Sequence, residues 1–290
     1  MIIGTPSLSA RTIVPGLHFI ATPIGAARDI TLRALDILAG ADVLAAEDTR
    51  TLKHLMEIHG VPLGDRHVFS YHEHNDEAMR PRLLQALAEG KSVAYASEAG
   101  TPLVSDPGFQ LSRAAIEAGY PVLAAPGPSA VLCALTVSGL PSDRFLFAGF
   151  PPAAKSARAK FLADLAGVQA TLILYESPKR VNQLLEDLSQ YMGEGRYAAV
   201  CRELTKRFEE VSRGTLRELA DAFSGRTVKG EIVVLIDRAG EVAVAAETVD
   251  EALKMALTRM TMKDAAATVA EAYGLPRRDV YQRALQMAVK

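Results

Sequence analysis

The chain has few of the residues that build disulfide-linked or metal-linked folds. It has only two cysteines, Cys133 and Cys201, far apart and in apolar segments. That spacing excludes a CxxC zinc site and provides no disulfide framework, so we expect both thiols in the core. All six histidines precede residue 75. The pair His72 and His74 in YHEHND therefore has no downstream partners, and the sequence predicts no metal site.

Long apolar runs and a strong net charge are also missing. Gly and Pro break the first sixteen residues, and Pro126, Gly127 and Pro128 interrupt the most apolar region, 120–140. Neither segment has the form of a signal peptide or a membrane span, so the sequence predicts a cytoplasmic protein. The formal net charge is −2. Any contact with nucleic acid must therefore come from a local basic face.

What the sequence does contain is an alternation of strand-like and helix-like segments from 17 to 140. Apolar runs such as LHFIAT and KSVAYASE alternate with amphipathic segments such as RPRLLQALAEG. This order predicts a mostly parallel sheet with helices on both faces and ligands at the carboxyl ends of the strands. Between 141 and 240, FEEVSRGT follows CREL too closely for a crossover helix. That half predicts a mixed sheet with at least one antiparallel pair.

The predicted organisation is an α/β protein with a helical tail. Its segments are an N-terminal extension (1–16), a first α/β domain (17–140), a second α/β domain (141–240) and a helical C-terminal extension (247–290). In the tail, Thr261 and Asp264 fit a capping box, and Gly274 separates two short helices. From 254 to 290 there are seven basic and three acidic side chains. The tail is either a packing hairpin with a solvated basic face or a module that touches RNA.

The loop SEAGTPLVSDPG, 97–108, falls at the predicted ligand edge behind the strand KSVAYA. It has the small residues of a phosphate loop, but it carries Glu98 and Asp106 and no lysine or arginine. Since a phosphate site needs positive charge, a nucleoside triphosphate is disfavoured. The absence of a GxxxxGK[ST] motif also argues against it. The loop suits a ligand that is cationic where it meets the protein, such as the sulfonium and ammonium of S-adenosylmethionine. An ordinary turn has the same composition.

Two more segments lie at the same predicted edge. In APGPSAVLCAL, Ser129 is a good N-cap, and the small pair Ser129 and Ala130 either seats a flat adenine or forms a plain strand-to-helix turn. In AAEDTRTLKHL, Glu47, Asp48 and Arg50 follow a strand and lead into a helix. They are either a helix cap with an ion pair, or carboxylates that orient or deprotonate a hydroxyl.

Nine motifs occur in order along the chain: TPIGAARDITLRAL, AAEDTR, YHEHND, SEAGTPLVSDPG, APGPSA, SGLPSDRFLFAGF, YESPKRV, RELTKRFEE and KGEIVVLI. Together they closely resemble the bacterial 2′-O-ribose methyltransferases of small-subunit (16S) ribosomal RNA, which belong to the tetrapyrrole-methylase superfamily. The resemblance covers about 17–237, and the segment 262–285 resembles that family's C-terminal extension. It implies a two-domain tetrapyrrole-methylase-like fold, with S-adenosylmethionine in the cleft between the domains.

The resemblance also implies partners and substrate. It implies a homodimer that methylates a cytidine ribose of 16S rRNA in the decoding region of the small ribosomal subunit, with no DNA or membrane partner. The cofactor residues that it implies are Glu98, Ala99, Gly100, Thr101, Leu103, Ser105, Ser129, Ala130, Tyr175, Leu204, Gly230 and Ile232.

The proton of the ribose 2′-hydroxyl needs an acceptor, and we hypothesise that Glu47 or Asp48 takes it. Arg50 then holds a phosphate or pairs with the acid, and His72 is a weaker candidate. The cations expected to contact RNA are Lys155, Arg158, Lys160, Lys179, Arg180, Arg277, Arg278 and Arg283.

The chain departs from the family pattern at four places. Ala26 and Ala27 stand where asparagine and leucine are expected, Glu98 replaces an aspartate, and Lys179 replaces a histidine. The lysine spacing in 151–158 is shifted. The first and last of these departures concern expected substrate contacts, whereas Glu98 keeps its charge, so cofactor binding is expected to be retained.

Two other functions remain open at this stage. A tetrapyrrole C-methyltransferase acting on a uroporphyrinogen- or precorrin-type substrate would use the same fold and cofactor. The EDTR, YHEHND and RELTK motifs argue against it, because there the resemblance is to the RNA enzymes. A non-catalytic ribosome-binding factor would bind subunits and transfer no methyl group.

Overall fold

The computed structural model describes residues 12–240, 246–273 and 275–288. The chain divides into two compact units, Met1–Arg238 and Ala239–Lys290. Most of the predicted N-terminal extension, 1–16, lies outside the described residues, as does Gly274, the predicted break between the tail helices. None of the described helices combines the length and the apolar character that a membrane span needs.

The larger unit contains two five-stranded sheets. The strands of the first are β1 (Gly16–Ile20), β2 (Val43–Ala46), β3 (Val68–Ser70), β4 (Ser92–Ala96) and β5 (Val122–Ala125). Those of the second are β6 (Phe145–Gly149), β7 (Thr171–Glu176), β8 (Tyr197–Arg202), β9 (Glu210–Thr215) and β10 (Ile232–Ile236).

The first sheet has the order β3-β2-β4-β1-β5, and all its pairs are parallel. Every residue of β1 and β4 is buried, as expected when helices cover both faces of a parallel sheet. Alternate strand residues point to opposite faces, so Ile20 and Ala94 join one core and Phe19 and Tyr95 join the other. The predicted parallel sheet is confirmed.

Four helices supply those two cores. They are α1 (Leu32–Gly40), α2 (Thr49–Ile58), α3 (Asp76–Ala88) and α4 (Phe109–Glu117). Helices α1 and α2 pack on one face, and α3 and α4 on the other. Helix α1 begins after Thr31, whose hydroxyl accepts the amide hydrogen of Ala34. Because the helices occupy the faces, the carboxyl ends of the strands remain available for a ligand.

The second sheet is mixed, with the order β6-β7-β10-β8-β9. Only β6 and β7 are parallel, and β8 pairs with β9 in antiparallel register, as the short RELTKRFEE connection predicts. Three helices, α6 (Lys155–Ala166), α7 (Val181–Met192) and α8 (Leu216–Phe223), cover one face.

Helix α5 (Ala130–Ser138) covers the other face of the second sheet, although it follows directly from the first. Val131, Ala134 and Leu135 pack there against β7, β8 and β10. Cys201 is buried in the same core and Cys133 is half-buried beside it. The first and second sheets therefore meet around α5. We retain the domain boundaries near 140 and 240 as a proposal.

The smaller unit is helical. It consists of α9 (Ala246–Leu257), α10 (Met262–Tyr273) and α11 (Arg277–Ala288), which share one apolar core. At the start of α10, the Thr261 hydroxyl accepts the amide hydrogen of Asp264 at 3.3 Å and donates to its carboxylate at 2.7 Å. This is the predicted pairing of Thr261 with Asp264.

Candidate active site

A cavity of about 460 Å³ lies where the loops after β2, β4 and β5 face the second sheet. This volume is in the range of small-molecule sites. The cavity is lined by every cofactor residue that the sequence predicted except Leu103, namely Glu98, Ala99, Gly100, Thr101, Ser105, Ser129, Ala130, Tyr175, Leu204, Gly230 and Ile232. Glu47 also lines it. Residues separated by more than a hundred positions in sequence thus meet at one cleft.

The loop 97–108 is tied to the first sheet by a short antiparallel bridge. Thr22 and Gly100 exchange both backbone hydrogen bonds at 2.9 Å, and the Ser97 hydroxyl donates to the Gly100 carbonyl at 2.9 Å. Thr101 donates to the Pro128 carbonyl at 2.8 Å, which joins the loop to the turn before α5. The loop edge that faces the cavity is therefore held in one shape.

Two non-glycine residues of this loop have left-handed backbone angles. The φ angles are 71° at Leu103 and 59° at Ser105. Such angles cost free energy and are concentrated at binding and catalytic sites. They identify this loop as a strained segment kept in place by its hydrogen bonds.

The opposite wall comes from the second sheet. Gly230 has φ +93°, and a Cβ there would lie only 2.4 Å from Cδ of Glu203. A glycine is needed because Glu203 crosses at that point, where its carboxylate accepts the amide hydrogen of Glu231 at 3.0 Å. The RELTK segment also reaches the first half of the chain, since the Ala26 amide donates to the Thr205 hydroxyl at 3.1 Å.

Carboxylates gather at one end of the cavity, where Glu47, Glu98 and Asp106 all line it. Burial raises the pKa of the Glu47 carboxyl, and the negative charges of Glu98 and Glu73 add to the effect. Burial, together with the nearby Glu47 carboxylate, raises the pKa of Asp106 to about 7. The Oδ2 atom of Asp106 is buried without a hydrogen-bond partner among the described residues. The cavity therefore has unpaired negative charge and a group that can accept a proton near neutral pH.

Asp48 does not share this environment. It is the N-cap of α2, where it accepts the Arg50 amide hydrogen at 2.8 Å and pairs with the Arg50 guanidinium at 2.7 Å. The hydrogen bonds from Arg50 lower the pKa of Asp48 to about 2. This arrangement is the helix cap with an ion pair, which was one of the two interpretations that the sequence allowed. Because the carboxylate is occupied and weakly basic, it is a poorer proton acceptor than Glu47. The Arg50 side chain is 90% exposed.

Ser129 precedes α5 and lines the cavity, but its side chain makes no capping hydrogen bond. Ser129 is the N-cap residue of α5, as expected, and its carbonyl accepts the amide hydrogen of Cys133 at 2.9 Å, but its hydroxyl does not cap the helix.

The YHEHND segment has a structural role. The Asn75 side chain accepts the His72 amide hydrogen at 2.9 Å and donates to the Ser70 carbonyl at 3.0 Å. The Tyr71 hydroxyl donates to Asp76, which also pairs with Arg80 at 3.4 Å. These contacts close the turn between β3 and α3. In 12–240, 246–273 and 275–288, no cluster of three His, Cys, Asp or Glu could hold a metal ion.

The predicted RNA-contacting cations fall into different environments. The expectation that Arg158 contacts RNA is wrong, because its side chain is only 8% exposed and pairs with the equally buried Asp187 at 2.6 Å. It faces the protein interior and cannot be a surface contact in this fold. Arg180 is half-buried and donates to the Pro151 carbonyl at 2.6 Å. Arg283 pairs with Asp250 at 2.5 Å. Those that remain exposed are Lys155, Lys160, Lys179, Arg277 and Arg278.

Asp106 and Phe150 are among the cavity residues that the sequence did not predict as site residues. Asp106 lies in the loop singled out for its charge, and its position before Pro107 and Gly108 was a signal that it stays at the sheet edge. Phe150 ends the run FLFAGF and directly follows β6. An aromatic residue just past a strand end was the available sign.

The raised pKa of Asp106 predicts a pH effect on stability. Its ordinary pKa is 3.8 and its pKa in the fold is about 7, so folding favours the protonated acid. The stabilisation is complete below about pH 4 and is lost as the pH rises through 7. We expect the melting temperature of the ligand-free protein to fall between about pH 4 and 7, and to fall less in Asp106→Asn. Thermal unfolding at several pH values measures this. Parallel curves for the two proteins would contradict it.

Comparison with known proteins agrees with this geometry. A family model of the Tetrapyrrole (Corrin/Porphyrin) Methylases matches residues 16–220, and one of the RsmI C-terminal HTH domain matches 242–288. The chain therefore belongs to the tetrapyrrole methylase family. Within that family, the chain is 46% identical over 286 residues to Ribosomal RNA small subunit methyltransferase I of Mesorhizobium japonicum. The alignment covers 98% of this chain and 96% of that protein. The resemblance seen in the nine motifs is confirmed.

Solved structures show the same fold at lower identity. A cobalt precorrin-4 methyltransferase of cobalamin biosynthesis aligns with a TM-score of 0.58 and 20% identity, covering 76% of this chain and 94% of that one. Uroporphyrin-III C-methyltransferase from Thermus thermophilus, solved with S-adenosyl homocysteine, aligns with a TM-score of 0.51 and 20% identity, covering 76% and 96%. At this identity the likeness concerns the fold alone.

Proposed function

We propose that this protein is an S-adenosylmethionine-dependent methyltransferase that methylates a ribose 2′-oxygen of 16S ribosomal RNA. The observation that carries the proposal is the 46% identity, over 98% of the chain, to a protein named for methylating small-subunit ribosomal RNA. The cavity contributes independent support, because its charge suits a cationic ligand. The acceptor that we propose is a cytidine in the decoding region of the small subunit, in the cytoplasm.

The residues of the cavity fit S-adenosylmethionine. The Glu98 carboxylate offers negative charge, the buried Oδ2 of Asp106 offers an unpaired oxygen, and the backbone of Gly100 lies at the cavity wall. Ile24, Tyr175 and Leu204 provide apolar surface for an adenosine. When bound, the cofactor supplies a methyl group activated by a positively charged sulfur. The residues that we propose to hold it are Glu98, Ala99, Gly100, Thr101, Ser105, Ser129, Ala130, Tyr175, Leu204, Gly230 and Ile232, with Leu103 shaping the loop behind them.

Glu47 is the proton acceptor that we propose. It lines the cavity, and burial keeps its carboxyl more basic than an ordinary glutamate. A ribose hydroxyl is a weak nucleophile until its proton is removed. A carboxylate at this position therefore accelerates attack of the ribose oxygen on the methyl group. The walls contribute by aligning that oxygen with the methyl carbon. Arg50, exposed beside Asp48, is available to hold a phosphate of the substrate.

The cations that we propose to contact RNA are exposed on each of the two units taken separately. Lys155 begins α6, Lys160 lies one turn further along that helix, and Lys179 follows cavity residue Pro178. In the helical unit, Arg277 and Arg278 begin α11 and are exposed. Contacts from such residues to phosphates make affinity for RNA fall steeply with salt.

A homodimer is also proposed. Its support in this chain is the apolar edge strand β6, where Phe145 and Leu146 are exposed. Uncovered apolar strand edges favour association with another chain. Light scattering in solution distinguishes a dimer from a monomer.

The proposed function is tested by methyl transfer. The purified protein is incubated with methyl-labelled S-adenosylmethionine and either small ribosomal subunits from cells lacking this enzyme or a uroporphyrinogen-type tetrapyrrole. We expect label only in the ribosomal RNA, on a ribose, with transfer that weakens as salt is raised. Label in the tetrapyrrole would identify a tetrapyrrole C-methyltransferase. Tight binding of subunits without label would identify a non-catalytic ribosome-binding factor.

A further inference from the structure

Phe150 is an aromatic side chain at the mouth of the cavity that the proposed chemistry leaves unused. It follows directly after β6 and lines the cavity together with Glu47, Glu98 and Asp106. The residue is 56% exposed. A single exposed phenyl ring is common on a protein surface, but this one lines the same cavity as the proposed proton acceptor, Glu47. That shared cavity is what requires a physical reason.

The ring is braced by other aromatic side chains. Its centroid lies 5.5 Å from that of Tyr175 in an edge-to-face arrangement, and Tyr175 in turn meets Phe147 at 4.7 Å. Edge-to-face contacts stabilise a fixed ring orientation. Despite this contact, more than half of the residue stays open toward solvent.

The backbone after Phe150 is also fixed, by one buried arginine, Arg158, and one half-buried arginine, Arg180. Arg180 donates to the carbonyls of Pro151 and Pro152 at 2.6 and 3.2 Å, and Arg158 donates to that of Ala153 at 2.9 Å. Each arginine is held by an acid in its turn. Arg158 pairs with buried Asp187 at 2.6 Å, and Arg180 with buried Glu176 at 3.2 Å.

This construction explains why two cations expected on the RNA face point inward. They hold the turn 151–153, whose first two residues are prolines with restricted φ. An exposed aromatic ring on a turn held this firmly loses little conformational entropy when a partner covers it.

The chemistry around the ring selects the partner. Proteins that act on RNA commonly stack an unpaired base on an exposed aromatic face. Lys179, next to cavity residue Pro178, and Lys155, near the end of the proline turn, are exposed cations suited to the phosphates on either side of such a base. The carboxylates that line this cavity would be unfavourable neighbours for an apolar surface of a protein partner.

We propose that Phe150 is the platform on which the base of the acceptor nucleotide stacks, with its ribose directed toward Glu47. This inference rests on the proposed function and adds to it a specificity-determining contact. It assigns the ring to the RNA and not to the adenine of the cofactor.

The test compares Phe150→Ala with Phe109→Ala. Phe109, at the start of α4, is 60% exposed and is not a cavity residue, so it is a matched control. We expect Phe150→Ala to raise the KM for small subunits by about 10- to 100-fold with the Kd for S-adenosylmethionine unchanged. Phe150→Tyr should restore the KM, and Phe109→Ala should change neither constant.

A second variant separates the two possible stacking partners. The chain contains no tryptophan, so Phe150→Trp introduces a single indole as a fluorescent reporter. Small subunits added to the cofactor-saturated protein should quench its emission further than S-adenosylmethionine alone does. Emission that responds to cofactor but not to subunits, or a Phe150→Ala protein with an unaltered KM for subunits, would overturn the proposal. If the wild-type protein instead transfers no methyl group to subunits, the proposed function itself has failed.

Discussion

Glu47→Gln is expected to lower kcat for methyl transfer to small subunits by about 10²- to 10⁴-fold, the usual contribution of a general base. Glutamine keeps the size of the side chain and its hydrogen-bonding capacity but cannot take the proton. The Kd for S-adenosylmethionine should change little, because the cavity keeps Glu98 and Asp106. Single-turnover rates at saturating cofactor, with calorimetry for cofactor binding, measure the two effects separately.

The neighbouring acid is the control. Asp48→Asn alters a carboxylate that caps α2 and pairs with Arg50, and its pKa is already lowered to about 2. We expect nearly normal kcat. The wild-type rate should also fall as pH decreases through a pKa above that of an ordinary glutamate, since burial raises the pKa of Glu47. A Glu47→Gln protein with full turnover would remove Glu47 from the chemistry.

The second large effect concerns stability. Asp187→Ala removes the partner of Arg158 and leaves a guanidinium buried without its counter-charge. Loss of one member of a buried ion pair costs about 3–5 kcal/mol. We expect the free energy of unfolding, measured with urea, to fall by that amount.

An exposed ion pair of similar geometry provides the comparison. Arg113 and Glu117 on α4 lie 2.7 Å apart with side chains 63% and 61% exposed. Glu117→Ala should cost less than about 1 kcal/mol, because water solvates both charges. If the two substitutions destabilise the protein equally, the Arg158–Asp187 pair is not buried as described.

The regular parts of the fold were predictable because their signals are local. Strands buried on both faces require continuous apolar runs such as β4, and the helices between them need one apolar face each. The order of these runs predicts a parallel first sheet. The short step from β8 to β9 predicts an antiparallel pair, since no helix fits between them.

The orientation of charged side chains was less predictable. Arg158 looks like a surface cation within KSARAKFLADLAG, because its partner Asp187 lies 29 residues away on another helix. Asp48 and Glu47 are adjacent in sequence, yet one caps a helix and the other lines the cavity. Only the backbone geometry at the end of β2 separates those roles.

The sequence by itself determined the sheet types, the charge of the loop 97–108 and, through its ordered motifs, the family. Each of these depends on residues that are neighbours in the sequence or on the order of motifs along it. The tertiary structure decided which carboxylates share the cavity, that α5 packs on the second sheet, and that Arg158 and Arg180 hold the turn behind Phe150. These depend on burial and on contacts between distant segments, which exist only once the chain has folded.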